Sequence, residues 1–223
     1  MNSSRLPGKA MMPLGGMSLI ERVIKRAQCS GYRVLLGTTN RTDDDVLEDV
    51  ADQLGIGCFR GDSANVLKRA ADAALKFDLS YFARLCGDRP LFSIQEIKTS
   101  LDLAQKFLNC ENGFKPDLIT NNFFGKKIKG LTTEVIRTDA SLAVLDQTKN
   151  ESHLEHLTSY FYQFPDKFNI LSLKNINPYI PNCAGYAIDE LDDYLRMNSL
   201  FNINSSIDLT IELADKLILD FPT

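Results

Sequence analysis

The sequence has no CxxC pair, no GxGxxG or GxxxxGK[ST] loop, and no apolar run approaching the roughly 18 residues that a membrane span needs. The Rossmann dinucleotide and P-loop readings therefore both fail. The five cysteines (29, 58, 86, 110 and 183) are isolated and odd in number. Such spacing indicates neither a zinc site nor a disulfide framework, and the residues read as reduced, small hydrophobes. The two histidines share the stretch HLEH at 153–156, which looks faintly metal-like but has no evident third ligand. A net charge of −4 with no basic stripe argues against nucleic-acid binding; the KKIK cluster at 126–129 reads as a solvated turn. No signal-peptide pattern opens the sequence, and no linker rich in Pro, Gly or Ser divides it. The expectation is a cytoplasmic globular protein of one domain over 1–223, neither membrane-bound nor bound to nucleic acid.

What is present is an alternation of helical and strand patterns. Ser18 with Glu21 reads as a capping box opening the helix SLIERVIKRAQ. The apolar run RVLLG (33–37) suits a buried parallel strand. Thr42 then caps a helix with an acidic first turn, Asp43-Asp44-Asp45. A strand at 57–59, a helix started by Ser63, a strand at 81–85 and a helix from Ser93 to about Leu108 follow. This rhythm implies a parallel sheet with helices on both faces. The second half is less regular. Strands are expected at 117–121, at 131–136 (alternating as an exposed or edge strand does), at 168–173 and at 185–188. Helices are expected at 138–147 and 154–163, with two more at the end.

Residues 3–9, SSRLPGK, are the most informative stretch. Ser3, Ser4 and Gly8 allow backbone N–H groups to turn inward as an anion-binding nest. Arg5 can fork two oxygens, and Lys9 supplies a point charge. The other reading of such a loop is a basic surface turn. Asp88 in Gly87-Asp88-Arg89-Pro90 directly follows an apolar strand, where open α/β sheets bind ligands. Asp189 stands in the same relation to the short apolar segment before it. Two carboxylates about a hundred residues apart, each at a strand end, suit Mg²⁺, which takes few protein oxygens and completes its shell with phosphate and water. A turn or helix cap is the bland alternative for Asp88. Asp193 reads as a charge at a helix N-terminus.

Several segments, in order, resemble the cytidylyltransferases that activate acidic sugars, above all the spore-coat-polysaccharide type. Ser4-Arg5-Leu6-Pro7-Gly8-Lys9 and Pro13-Leu14-Gly15-Gly16 through Leu19-Ile20-Glu21-Arg22-Val23 match that family's opening loop. Thr38-Thr39-Asn40, Phe59-Arg60-Gly61, Gly87-Asp88, Gly130-Leu131-Thr132-Thr133-Glu134-Val135, Glu155-His156-Leu157-Thr158 and Ile188-Asp189 match later elements. There are departures: Asn65 and Thr132 replace acidic residues, and Arg89 stands where a small residue is usual. Met1 sits one residue after the place where the family's first strand and its arginine end. The corresponding expectation is a functional polypeptide with about ten further residues ahead of Met1, because a central strand buries about five apolar side chains.

The resemblance implies an α/β, three-layer Rossmann-like nucleotidyltransferase (GT-A-like) fold with a mixed, mostly parallel sheet. It implies a dimerisation or acceptor-binding insertion at about 122–175 and a homodimer. The implied partners are CTP and an acidic sugar, with Mg²⁺ on Asp88 and Asp189. Ser3, Ser4, Arg5, Gly8, Lys9, Thr38, Thr39, Arg60 and Gly61 would bind the nucleotide, with Arg5 and Lys9 on its outer phosphates. Arg5, Lys9, Asp88 and Asp189 would carry catalysis. Arg89, Glu134, Glu155 and His156 would face the acceptor, although a Glu-His pair on a helix is also an ordinary structural histidine. A non-catalytic nucleotide-binding relic of the same fold is the alternative. A glycosyltransferase would need a DxD motif after a central strand, and Asp43-Asp44-Asp45 lies at a helix start.

Overall fold

The structure, a computed structural model, describes residues 5–110, 113–122, 130–173 and 185–220. Ser3, Ser4, Cys183 and the cluster at 126–129 lie outside these residues. Strands β1 (Leu35–Thr39) and β2 (Gly57–Gly61) pair in parallel, Leu35 opposite Gly57. A second sheet has the order β3-β5-β4-β6, formed by β3 (Tyr81–Ala83), β4 (Leu118–Thr120), β5 (Glu134–Arg137) and β6 (Ile170–Ser172). β5 runs antiparallel to both its neighbours, while β4 and β6 are parallel. Parallel and antiparallel pairings both occur among the described strands, so the fold is mixed α/β with parallel and mixed sheets. β5 is interior, not the edge strand its alternation suggests. Val135 packs into one core and Ile136 into another, so both faces are buried.

The helices are α1 (Leu19–Gln28), α2 (Asp45–Gln53), α3 (Val66–Lys76), α4 (Ile94–Leu108), α5 (Thr138–Gln147), α6 (Glu151–Glu155), α7 (Ser159–Gln163), α8 (Leu191–Ile203) and α9 (Ile211–Asp220). They form layers on both sides of the four-stranded sheet. Ala104 of α4 joins Tyr81, Ile119 and Val135 on one face. Leu67, Ala140, Val144 and Phe161 join Leu118 and Ile136 on the other. Ser18 caps α1 and Ser93 caps α4, each accepting from the backbone N–H three residues on. Asn65, not Ser63, caps α3, because Asp62 takes the Ala64 and Asn65 N–H groups in a turn and delays the helix. The helix expected over 154–163 is broken at 156–158, so that Thr158 can turn inward. Residues 186–188 form no strand among the described residues; the Ile188 N–H donates to the Asp88 carbonyl at 2.9 Å.

α1 links the two sheets. Its Ile20 and Ile24 pack with Leu36 of β1 and with α2, while Leu19, Val23 and Ala27 pack with α8 and α9. The helix also buries two arginines. Arg22 donates to the Leu14, Gly15 and Ser205 carbonyls at 3.0, 2.8 and 3.1 Å, over the Phe201 ring. Arg26 donates to the Phe92 and Ile207 carbonyls at 2.8 and 2.6 Å. Burial lowers the Arg26 pKa to about 10, which leaves it cationic at neutral pH. Gly15 has a φ of 61°, and a Cβ there would lie 2.6 Å from the Arg22 guanidinium, so no other residue fits without disturbing this clasp.

Candidate active site

Three segments distant in sequence converge on one ammonium. Gly8, in the left-handed conformation at φ 71°, turns the chain into a short 3₁₀ turn, Lys9–Met11. Lys9 Nζ then donates to Asp88 Oδ2 at 2.8 Å, to the Ile188 carbonyl at 2.8 Å and to Asp189 Oδ1 at 3.2 Å. Asp88 lies in the turn after β3, and Asp189 just ahead of α8. The backbone bond from Ile188 to Asp88 holds the two segments together independently of Lys9. All three side chains are largely covered, with exposures of 18–24%. Asp193 accepts from the Asp189 and Glu190 N–H groups at 3.0 and 3.1 Å, which fixes the start of α8. Arg5 reaches the same edge from outside, 2.7 Å from Glu190 and 3.7 Å from Asp189.

Asp88, Asp189 and the Ile188 carbonyl form a set of hard oxygens already gathered around one positive charge, the donor chemistry that Mg²⁺ accepts. Among the described residues no group of three or more His, Cys, Asp or Glu side chains gathers as a metal site, and this cluster contributes two carboxylates. The histidines are excluded individually. His153 is buried with both ring nitrogens in use, 2.9 Å from the Thr148 hydroxyl and 2.6 Å from Gln163 Oε1. His156 is exposed. Cys86, beside the Gly87-Asp88 turn, is kept a neutral thiol because burial pushes its pKa up.

Thr38, Thr39, Arg60 and Gly61 meet one another at the carboxyl ends of β1 and β2. Asp44 accepts from both threonine hydroxyls (3.1 and 2.5 Å) and from the Thr39 N–H (3.3 Å). Arg60 donates to the Thr39 carbonyl at 3.0 Å and pairs with Asp45 and Glu48 at 2.6 and 3.0 Å. The acidic turn read from the sequence as a helix start therefore serves chiefly to tie down this loop, with Asp44 buried at its centre.

The expected acceptor residues separate. Glu134 is buried and already engaged. Its Oε1 accepts from Thr158 at 2.8 Å and Tyr162 at 2.9 Å, and Arg84 lies 3.7 Å from Oε2. Burial first, and then the Glu134 carboxylate, push the Tyr162 phenol well above its ordinary pKa, so it stays a neutral donor. Glu134 is thus an organiser of Arg84, Thr158 and Tyr162. Glu155 and His156 are exposed, and among the described residues neither side chain is bonded to this network or to the Asp88 cluster. Arg89 is half-buried beside Asp88, and its guanidinium has no partner among the described residues. Sequence reasoning gave no role to Arg84, Thr158 or Tyr162, although Thr158 lies in a matched segment; the Arg84 N–H donates to the Glu134 carbonyl, and Thr158 and Tyr162 donate to the Glu134 carboxylate.

The sequence and the fold have known relatives. The chain is 28% identical over 220 residues to an uncharacterised protein, MJ1063, of Methanocaldococcus jannaschii, covering 96% of this chain and 86% of that one. It is 24% identical over 208 residues to the spore coat polysaccharide biosynthesis protein SpsF of Bacillus subtilis, covering 90% and 82%. A cytidylyltransferase structure from Leptospira borgpetersenii superposes with a TM-score of 0.85 at 23% identity, covering 99% of this chain and 90% of that one. The profile of the family described as cytidylyltransferase matches residues 1–202, and this chain is a member of that family of nucleotidyltransferases.

Proposed function

We propose that this enzyme transfers CMP from CTP to the anomeric hydroxyl of an acidic sugar and releases pyrophosphate. The observation that carries the reading is the convergence of Asp88, Asp189 and Lys9, from three distant segments, on one point at the mouth of the fold. Two carboxylates and a lysine there match the needs of a triphosphate and its cation. Similarity to a spore coat polysaccharide biosynthesis protein supports a product destined for a surface glycan.

In this reading Asp88 and Asp189 hold Mg²⁺, which when bound supplies charge neutralisation at the phosphates. Arg5 and Lys9 pair with the outer phosphates, and the Gly8 turn brings backbone N–H groups towards them. The loop of Thr38, Thr39, Arg60 and Gly61 lines the pyrimidine. Its side chains are spent on one another, so it offers a preformed rim whose backbone groups read the base. The acceptor oxygen attacks the α-phosphorus in line while Lys9 and Arg5 steady the departing pyrophosphate; catalysis is positioning and charge neutralisation. Arg89, with a guanidinium unpaired among the described residues, takes the acceptor carboxylate. Glu134 orients Arg84 and Tyr162 behind the site.

The test is a pyrophosphate-release screen of four nucleoside triphosphates against a panel of nonulosonic and octulosonic acids. Turnover with CTP and one acidic sugar is expected. Release with neutral sugar phosphates alone would overturn the assignment of the acceptor.

A further inference from the structure

The ammonium of Lys9 stands where a metal ion and a triphosphate are each expected to act. An ammonium has three N–H donors, and here three oxygens receive them: Asp88 Oδ2, Asp189 Oδ1 and the Ile188 carbonyl. No donor remains for a phosphate. Equally, the oxygens that would hold a dication are already taken up with a cation. The backbone bond between Ile188 and Asp88 keeps the segments that carry the two carboxylates together if Lys9 leaves. Two like charges fixed side by side without a counter-ion are unfavourable, the more so when largely shielded from water.

We propose that Lys9 is a placeholder cation that exchanges with the divalent ion, so that metal and triphosphate enter the site together. Metal alone has to displace an ammonium that then has no anion to receive it. Triphosphate alone has to draw Lys9 off two carboxylates that then lose the cation they share. When both arrive, the ammonium passes to the outer phosphates, the dication takes the carboxylates, and every charge stays paired. Binding of the two is then strongly and reciprocally cooperative, since linkage makes each tighten the other by the same factor. Arg5 is not part of the exchange; it is exposed, pairs with Glu190 and lies 3.7 Å from Asp189 Oδ2, not from the Oδ1 that faces Lys9. The inference rests on the nucleotide-site reading for the identity of the incoming anion, but its metal half stands separately.

The experiment is Mn²⁺ binding followed by electron paramagnetic resonance on the whole chain without nucleotide. Lys9→Met is expected to bind Mn²⁺ at least about tenfold more tightly than the unmodified protein, because the competitor is gone. Lys9→Gln, which keeps hydrogen-bond donors but loses the charge, serves as the second variant should Lys9→Met fail to fold, and is expected to move in the same direction. Adding Asp88→Asn to either variant is expected to abolish the gain, which places the ion at this site. Unchanged or weaker Mn²⁺ binding in the folded lysine variants overturns the proposal. Calorimetry of CTP with and without Mn²⁺ separates the two readings. If the protein binds no CTP, yet its lysine variants bind Mn²⁺ more tightly, the exchange stands and the nucleotide reading falls. If it binds CTP equally well with and without metal, the coupling falls and the nucleotide reading stands.

Discussion

Two charged clusters stand at the carboxyl ends of strands, and they are built in opposite ways. In the cluster of Asp44, Thr38, Thr39 and Arg60, bonded partners lie 5 to 21 residues apart, within one β1–α2–β2 unit. In the cluster of Lys9, Asp88 and Asp189, partners lie 79 and 180 residues apart. The first is a closed local network, whose hydroxyls and guanidinium are consumed in holding a loop. The second gathers charges that no local structure requires, at a place where two carboxylates would repel without Lys9. The local cluster shapes a rim; the long-range cluster can exchange partners with a ligand. Alpha/beta sheets bring both to one edge, but only the second has chemistry to spare.

The largest effect expected is in the long-range cluster. Asp88→Asn should lower turnover by about a hundredfold or more with the fold intact, because a charge contact at the reacting phosphates contributes several kcal/mol. Retention of more than about a tenth of the rate, with an unchanged melting temperature, would show that Asp88 does not hold the cation. Next is Lys9→Ala. In the presence of metal it should weaken CTP binding about tenfold or more and CMP binding far less, since Lys9 is assigned to the outer phosphates. Equal losses by calorimetry would place Lys9 elsewhere.

The local cluster should answer with stability instead of rate. Asp44→Ala leaves two hydroxyls and the Thr39 N–H without their acceptor and should cost about 1–3 kcal/mol in urea unfolding. Its effect on turnover should be smaller than that of Asp88→Asn; the reverse order would erase the distinction between rim and reactive cluster. The smallest effect is expected at Glu190→Gln. Its pair with Arg5 is 57–60% exposed and screened by solvent, so the melting temperature should stay essentially unchanged in a thermal melt.

The same contrast explains what could be read from the sequence. Asp88 and Asp189 were legible because each follows a short apolar segment, and a lone carboxylate in that position has few structural uses. The α1 and α4 caps were legible because capping is local. β5 was misread as an edge strand, since Leu131–Ile136 alternates while the helices that cover both its faces come from residues on either side of it in the chain. Glu134 was found by family pattern, yet its burial against Thr158 and Tyr162 depends on a helix break that no local rule announces. Arg22 and Arg26 look like the solvated face of an amphipathic helix. Carbonyls at 14, 15, 92, 205 and 207, most of them distant in sequence, turn them inward.

Those two arginines impose a schedule on synthesis. One carbonyl partner of each lies 183 and 181 residues downstream, so α1 leaves the ribosome long before its full set of acceptors exists. At roughly 5–20 residues per second, the wait is about 10–40 seconds. Docking α1 earlier would bury guanidinium charge with part of its hydrogen bonding unmet, at a cost of several kcal/mol. α1 is thus made early in this sequence yet is among the last elements to settle, because Ser205 and Ile207 complete its hydrogen bonding.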